Sequence, residues 1–428
     1  MKIFIKSFAN LKLAIFLLLL IAFFSAIGSI IEQDKPIEFY KGIYTTSFFG
    51  TPIWIYLQQL DLTHIYSSWW FFSLLIIFGT CLLSCTFSRQ FPALKYARRY
   101  YFYTYASQFN KLKQKFLVKT VLKGQLCYQL INEKYSICQK QTGFYGYKGL
   151  IGRVGPVIVH LSIIFILLGS ILGAIKGFTA QEFVPKSEIF HIQNIVKVGN
   201  LAKIPQQTFR INDFWVNFNK TGVVKQFQSD ISVLSGKGNE IERKTISVNN
   251  PFLFKGLTMY QTDWGIIGLR IKISNKDSVI QLPVSKIANT TQKLWVSWLP
   301  IDIEKRSGSG IILILNGVYG KIEFYNEEAK LIKSLSLGQT LIFKDFLSIN
   351  LLDCILSTGI QIKSDPGIKI IYSGFGTLIV SSLISYISFS EIWFLEYSEE
   401  GFCGGKTTRD KVKFNIEMSK IEKGFSKR

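Results

Sequence analysis

Several patterns that would assign a chemistry are missing from this 428-residue chain. It has no Gly-x-x-x-x-Gly-Lys followed by Ser or Thr, the loop that cradles nucleotide phosphates, which excludes unaided nucleotide hydrolysis. It has no Cys-x-x-Cys, which excludes a thioredoxin-like dithiol, and no Cys-x-x-Cys-His, so the chain does not hold covalent c-type haem. Histidine is scarce, with three residues in the whole chain. Any catalytic or ligand site must therefore be built from few titratable groups.

Apolar residues, in contrast, make up 48% of the chain and are concentrated in long uncharged runs. A hydrocarbon core roughly 30 Å thick needs about 20 apolar helical residues to cross it. Four runs meet this requirement: Leu13–Ile31, Ser67–Phe87, Val154–Ile175 and Ile370–Ser390. The sequence therefore predicts an α-helical membrane protein with four transmembrane helices. The first run is too long for a signal-peptide core, and we interpret it as an uncleaved signal anchor.

Basic residues are unevenly distributed along the chain. There are 50 Lys and Arg against 28 Asp and Glu, a net charge of +22. Residues 88–153 hold 13 of the basic residues and one acid, Glu133, a net +12, whereas residues 32–66 hold 2 basic and 4 acidic residues. Positive charge favours the cytoplasmic side of a membrane or its stromal equivalent. We therefore place both termini and residues 88–153 inside, and residues 32–66 and 176–369 outside.

The outer segment between the third and fourth runs has the pattern of β-structure. Thr208–Phe218 places apolar residues near period 2, and Ile311–Asn316 is a short β-branched run. With about 190 residues, this segment is large enough to form its own core. We expect a large extracytoplasmic (lumenal) β-rich domain of antiparallel sheets.

The complete predicted organisation has eight segments. In chain order they are 1–31, N-terminal segment and helix 1; 32–66, lumenal loop; 67–87, helix 2; 88–153, basic stromal or cytoplasmic loop; 154–175, helix 3; 176–369, lumenal β-rich domain; 370–390, helix 4; and 391–428, stromal or cytoplasmic tail. Within the basic loop, residues 98–105 mix aromatic and charged side chains. This pattern indicates an amphipathic stretch that binds membrane lipid headgroups, and we predict no nucleic-acid partner.

The six cysteines are scattered over both predicted sides of the membrane. Cys81 and Cys85 share a helix face at i, i+4 inside the second run, and we interpret them as buried small apolar residues. Cys354 is the one cysteine predicted outside, so an intramolecular disulfide cannot form there.

His160 is the one ionisable residue inside the predicted membrane helices. An ionisable group at membrane depth is costly and is a functional candidate. It follows Arg153 by seven residues, about 10 Å along a helix. Two interpretations are open: His160 forms a hydrogen bond with a neighbouring helix, or it is a metal or haem ligand. Because one imidazole supplies one axial position, a bis-His haem site would need a second protein.

Taken in order, several segments resemble the ResB-type cytochrome c biogenesis proteins, which act with a CcsA/ResC-type partner in System II haem attachment. The segments that carry the resemblance are 25–34 (SAIGSIIEQD), 65–71 (IYSSWWF), 85–92 (CTFSRQFP), 155–160 (GPVIVH), 226–234 (QFQSDISVL), 243–251 (RKTISVNNP), 260–264 (YQTDW) and 357–367 (STGIQIKSDPG). Residues 88–153 and the last 35 or so residues carry no recognised motif.

This resemblance implies a function in cytochrome c maturation. The family forms a membrane complex that transports haem b and attaches it to apocytochrome c, such as a c-type cytochrome f. It implies that His160 is an axial ligand of the haem iron, that the partner supplies the opposing ligand, and that the chain is not catalytic alone but is a subunit of a cytochrome c synthase. Arg153 is our hypothesis for a contact with a haem propionate. His64 and His191 are predicted outside, where surface histidines are common, and we do not assign them as ligands.

Two other functional classes stay open at this stage. One is a membrane-anchored assembly scaffold or receptor that acts through its outer β-domain without a cofactor. The other is a transporter or channel subunit, which the single ionisable residue in the spans disfavours. Abundant Lys, Ile and Phe and the lack of a Ser/Arg-rich transit segment favour a plastid-encoded thylakoid protein, with a bacterial plasma membrane as the alternative.

Overall fold

The computed structural model describes residues 8–48, 50–219, 224–273, 279–287, 293–300, 310–317, 321–343, 347–397 and 399–426. The chain divides into two compact units. We call residues 1–173 and 367–428 the helical unit, and residues 174–366 the β unit.

Nine α-helices are present in the residues that the structure describes. Their bounds are α1, Leu11–Ile30; α2, Ile37–Ile43; α3, Ile53–Gln59; α4, Trp69–Cys85; α5, Phe91–Ala97; α6, Lys123–Asn132; α7, Ile151–Lys176; α8, Ile368–Ser385; and α9, Lys411–Ser426. A π-helical turn, Thr86–Gln90, joins α4 to α5 without a break. Four helical segments in this part of the chain are long and apolar enough to cross a membrane: α1, α4 with its extension, α7 and α8.

The same described residues form the following strands. Before α7 lie β1, Ser47–Phe48; β2, Thr51–Pro52; β3, Gln114–Lys119; β4, Ser136–Lys140; and β5, Gly143–Lys148. The β unit contains β6, Phe178–Pro185; β7, Ile189–Phe190; β8, Ile195–Val198; β9, Thr208–Phe218; β10, Val224–Leu234; β11, Glu240–Ser247; β12, Phe252–Phe254; β13, Leu257–Ile273; β14, Val279–Pro283; β15, Ser285–Lys286; β16, Leu294–Pro300; β17, Gly310–Asn316; β18, Ile322–Tyr325; β19, Leu331–Leu335; β20, Thr340–Phe343; and β21, Leu347–Ser364. After α8 follow β22, Ser390–Tyr397, and β23, Glu400–Thr407.

The four long helices lie where the apolar runs predicted helices, and polar caps set two of the starts. The Asn10 side chain accepts a hydrogen bond from the Lys12 amide at 3.0 Å, directly before α1. Ser68 precedes α4 and accepts from the Phe71 amide at 3.4 Å. Such caps satisfy backbone N–H groups that have no partner inside the helix. The fourth apolar run is longer than its helix, because α8 ends at Ser385 and Ser390 begins a strand.

Helices α1, α4 and α7 pack through one apolar cluster. Leu17 of α1 meets Phe78 and Cys81 of α4, and Ile163 and Leu167 of α7 lie against them. Cys81 has no exposed surface, which confirms its interpretation as a buried small residue. The cluster fixes α7 beside α4 at the level where α4 continues into the π-helical turn.

Helices α7 and α8 approach each other closely because glycines lie at their contacts. A Cβ atom built on Gly169 would lie 2.7 Å from Ile371 Cγ1, and one on Gly374 would lie 2.7 Å from Ile166 Cγ1. Real side chains do not tolerate such distances, so the two backbones can approach only where no side chain intervenes. The Gly-x-x-x-Gly spacing that begins at Gly169 predicted a close helix neighbour, and α8 is that neighbour.

A five-stranded antiparallel sheet, which we call the composite sheet, joins two distant parts of the helical unit. Its strand order is β3-β23-β22-β5-β4. Strand β22 pairs with β5, from Ser390 opposite Lys148, and β23 pairs with β3, with Gly401 opposite Val118. The sequence patterns treated these parts as a loop and a tail. Local patterns did not indicate the sheet, because its strands are short and find their partners far along the chain.

The aromatic stretch at residues 98–105 packs partly against this composite sheet. The rings of Tyr103 and Trp393 stack with centroids 4.6 Å apart, and the Trp393 indole N–H donates to the Tyr101 carbonyl at 2.7 Å. Tyr100 and Tyr105 stay exposed. Part of the stretch therefore contributes to the core of the helical unit, and the exposed rings remain available for the predicted contact with lipid.

The β unit contains three antiparallel sheets in its described residues. Their orders are β11-β10-β9-β7, then β12-β13-β21-β6-β8 with β14 beside β13 and β20 beside β21, and β15-β16-β17-β18-β19. Strand β9 covers the predicted residues Thr208–Phe218, with alternating buried side chains. Two apolar cores fill the unit, one around Leu313 and Ile349 and one around Ile211 and Ile362. The prediction of a large antiparallel β-rich segment is confirmed.

We predict that Gly374→Val destabilises the purified protein in detergent by about 1–3 kcal/mol, because the added side chain would overpack the contact with Ile166. The matched control is Gly376→Val on the same helix, where a Cβ atom meets nothing within 4 Å. Thermal unfolding followed by the helical circular dichroism signal measures both variants. Equal unfolding midpoints for the two would contradict this account of the α7–α8 contact.

Candidate functional site

The candidate site is built on α7, which carries His160 near its middle. The helix begins at Ile151 and contains Pro156, one turn before His160. Proline has no N–H, so one backbone hydrogen bond is missing in the turn that leads to the histidine. His160 is partly buried.

His160 contacts the end of α4 through a side-chain hydrogen bond. Its Nδ1 atom lies 2.9 Å from Oγ1 of Thr86, the first residue of the π-helical turn. The Thr86 hydroxyl also donates to the Leu82 carbonyl at 2.7 Å. Thr86 is buried, with 7% of its surface exposed. The predicted hydrogen bond between His160 and a neighbouring helix is therefore present, and Thr86 is its partner.

This arrangement favours one tautomer of the imidazole. A hydroxyl has a single proton, and a carbonyl oxygen can only accept. Because the Thr86 proton goes to Leu82, the Thr86 oxygen is left to accept from His160, whose Nδ1 then carries the ring proton. The Nε2 atom keeps its lone pair, and it forms no hydrogen bond with any described residue. A hydrogen bond at Nδ1 that orients the ring is the usual companion of a metal-ligating Nε2.

A second polar contact fixes α7 from the side of α8. The Ser162 hydroxyl donates to the Ile158 carbonyl at 2.8 Å and lies 2.9 Å from the Thr377 hydroxyl. Ser162 is 1% exposed. His160 and Ser162 thus bind different neighbouring helices, and rotation of α7 about its axis would break both contacts. The direction in which His160 points is set by these two helices.

Arg153 lies two turns before His160 on the same helix and has no carboxylate partner among the described residues. Its guanidinium lies 5.2 Å from the centroid of the Phe389 ring. Its Nε atom is buried and forms no hydrogen bond with the described part of the chain. A guanidinium presents five N–H donors and binds carboxylates well. Arg153 therefore has unused capacity for an anionic group.

The other two histidines lie away from this site. His64 precedes α4, and its Nδ1 lies 2.7 Å from Oδ1 of Asp34. His191 lies between β7 and β8 and is exposed. The outer thiol, Cys354, is buried in β21, and burial together with the nearby Asp353 raises its pKa to about 12. Cys354 is therefore a protonated, unreactive thiol at neutral pH.

Thr86 was missed when the sequence was read for titratable groups, because threonine cannot titrate. A signal was nevertheless present: Thr86 is a polar residue at the end of an uncharged run, within one of the segments that carry the family resemblance. Asp34 belongs to another such segment and was likewise not connected with His64. Neither pairing follows from sequence spacing.

We predict that the imidazole of His160 is protonated at Nδ1 and unprotonated at Nε2. With three histidines in the chain, nitrogen NMR of protein labelled at histidine can resolve each ring, and His160→Gln identifies the signal. Thr86→Val should redistribute the ring between its tautomers, whereas Thr86→Ser, which keeps the hydroxyl, should preserve the wild-type spectrum. A wild-type ring protonated at Nε2 would show that the proposed direction of the hydrogen bond is wrong.

Comparison with known proteins gives a consistent result. Residues 11–294 match the profile of the ResB-like family. The chain is 44% identical over 420 residues to cytochrome c biogenesis protein Ccs1 of Thalassiosira pseudonana, covering 98% of this chain and 99% of the relative. It is 45% identical over 417 residues to the protein of the same name from Phaeodactylum tricornutum, with 97% and 98% covered. That of Porphyra purpurea is 42% identical over 428 residues, with 99% and 96% covered. The chain belongs to the ResB-like family.

Proposed function

We propose that the protein is a membrane subunit of the machinery that matures c-type cytochromes, in which it binds haem in transit through His160. The relatives carry the name cytochrome c biogenesis protein, which supports the process. The observation that carries the specific role is the His160 imidazole, anchored at Nδ1 by Thr86 with Nε2 unoccupied by any described hydrogen-bond donor.

The proposed membrane arrangement follows from helix length and charge. Helices α1, α4, α7 and α8 cross the membrane, since each offers an apolar segment of at least 18 residues. Residues 88–153 hold a net +12, which puts them and the composite sheet on the inner side, the stroma or cytoplasm. Residues 32–66 and the β unit then lie on the outer, lumenal side. Both ends of α7 are accounted for, with the basic end inside.

Haem suits this environment because its macrocycle is apolar and its two propionates are anionic. The neutral imidazole of His160 would bind the iron axially, and the apolar side chains of the neighbouring helices would accept the ring. Arg153, near the inner end of α7, would hold a propionate at the boundary where water is available. The roughly 10 Å between the two residues along the helix is the distance that such an arrangement requires. Haem b is here the cargo of the protein.

A partner protein completes the iron site in this proposal. His160 is the one histidine in the four helical segments, so a second axial imidazole must come from another chain. We propose a CcsA/ResC-type membrane protein as that chain and apocytochrome c as the acceptor of the haem. The chain itself supplies ligand and support and is not a catalyst alone. The relatives come from algae, which supports a plastid thylakoid membrane as the location.

We predict that His160→Ala reduces the haem that co-purifies with the complex to near background and stops maturation of a c-type cytochrome. The physical reason is loss of the axial nitrogen. Exogenous imidazole should restore part of both, because it can occupy the space left by the ring. Haem per complex is measured by absorbance of the reduced pyridine adduct, in cells that express the chain with its partner and a reporter apocytochrome.

The control for helix packing is Ser162→Ala, which removes a polar contact from the same helix but keeps the imidazole. It should retain haem. Full maturation in His160→Ala would exclude the ligand role. Maturation that fails in His160→Ala while the wild-type complex contains no haem would instead favour a scaffold without a cofactor.

We predict that Arg153→Ala weakens haem binding roughly tenfold or more, since a hydrogen bond to a charged group is worth about 1.5–3 kcal/mol. Arg153→Lys keeps the charge but loses the forked geometry, and it should fall between the two. Haem titration of the purified complex measures the affinities. If Arg153→Ala binds haem like the wild type while His160→Ala does not, Arg153 has no contact with the propionate.

A further inference from the structure

Two of the three histidines share one arrangement. In His160 the Nδ1 atom is bound by a hydroxyl from another helix; in His64 it is bound by the Asp34 carboxylate at 2.7 Å. A carboxylate can only accept from an imidazole N–H, so the Nδ1 of His64 carries a proton in this contact. In both residues Nε2 forms no hydrogen bond with the part of the chain that the structure describes.

The contact between His64 and Asp34 is held by the backbone on both sides. Gln33 donates to the Ile31 and Leu62 carbonyls at 2.9 and 3.1 Å and accepts from the Ile65 amide at 2.9 Å. The Asp34 amide donates to the Thr63 carbonyl at 3.1 Å. Residues 31–34 and 62–65 are thereby joined side by side. The imidazole is placed before any ligand arrives, and this preorganisation lowers the cost of binding.

Asp34 adopts a backbone conformation that residues other than glycine seldom use. Its φ angle is +59°. Such conformations cost about 1–3 kcal/mol and persist where the surroundings impose them, often at ligand sites. Here the strained residue is the one that orients the imidazole.

The His64 ring is directed outward although its neighbours are buried. Thr63 is 6% exposed and Ile65 is 0% exposed, whereas the His64 side chain is 51% exposed. The same segment also exposes Leu60 and Trp69, at 59% and 74%. A structural ion pair gains little from an exposed ring. An exposed Nε2 flanked along the chain by exposed apolar side chains suits a large apolar ligand that carries a metal.

We propose that His64, oriented by Asp34, is a second haem site, which binds the iron axially through Nε2 on the outer side of the membrane. This inference rests on the proposed function, because that function supplies haem and the orientation of α4. Residues 31–34 follow α1 and residues 62–65 precede α4, so this site lies at the outer ends of two membrane helices. A porphyrin brings four nitrogen donors of its own, so one protein imidazole suffices to hold it.

The step at this site is a ligand exchange without electron transfer. The bond between iron and the His160 nitrogen breaks, and a bond between iron and the His64 nitrogen forms. The iron keeps its oxidation state, and both imidazoles keep their Nδ1 proton. The Asp34 carboxylate makes His64 a stronger donor by accepting that proton's hydrogen bond. His64 would therefore receive haem that has crossed the membrane and hold it for the partner and the apocytochrome.

The test is a titration of the full-length chain in detergent with haemin as the probe, followed by its absorbance. The wild type should take up two haems per chain. His64→Ala should take up one, with the second restored by imidazole, and Asp34→Asn should weaken one site about tenfold or more. His64→Asn checks folding, because its amide can still donate to Asp34 while it lacks the imidazole. His191→Ala is the matched control, since it removes an exposed histidine with no hydrogen-bonded partner in the described residues.

The outcomes separate this inference from the proposed function. If His64→Ala and His64→Asn bind haem like His191→Ala, the second site does not exist, whatever His160 does. If His64→Ala loses one haem but imidazole does not restore it and His64→Asn keeps both haems, the role of His64 is structural and the proposal fails. If His160→Ala still takes up two haems, the proposed function fails and the proposal that rests on it fails with it. One haem lost in each single variant and both lost in the double variant is the supporting result.

Discussion

The hydrogen bond between His160 and Thr86 is the interaction on which the rest of the site depends. An imidazole in an apolar helix is tolerated when its polar atoms are satisfied, and Thr86 satisfies one of the two nitrogens. The other nitrogen is left for a ligand. Helix α4 must therefore lie beside α7 at this level, and the buried contact of Cys81 and Phe78 with α7 holds it there. Packing and chemistry at this site are inseparable.

Helix α7 combines two kinds of contact that rarely serve the same purpose. Toward α8 it presents Gly169 and Ser162, which allow a close approach and one hydrogen bond. Toward α4 it presents apolar side chains and His160. The result is a helix that is fixed in rotation by its neighbours while Arg153 remains without a carboxylate partner in the described chain. Rigidity of the backbone and availability of two polar side chains are exactly compatible here because they use different faces.

The sequence patterns located what is local and missed what is distant. The uncharged runs and the alternation in Thr208–Phe218 depend on neighbouring residues, so the four apolar helices and the β-rich segment were predictable. His160 was predictable as well, because a single ionisable residue in an apolar run stands out. Its partner was not, since Thr86 lies 74 positions away. The composite sheet joins residues still farther apart, as in the bond from Tyr145 to Glu391 across 246 positions.

The composite sheet also constrains the order in which the chain can fold during synthesis. Strand β23 lies between β3 and β22, so β3 has no neighbour in the sheet until residue 407 has left the ribosome. By then α7, the whole β unit and α8 have already been made. Residues 114–148 must wait through that interval with unpaired strand edges, which are prone to pair wrongly. Completion of the helical unit is therefore a late event that reports on correct insertion of everything between its two parts.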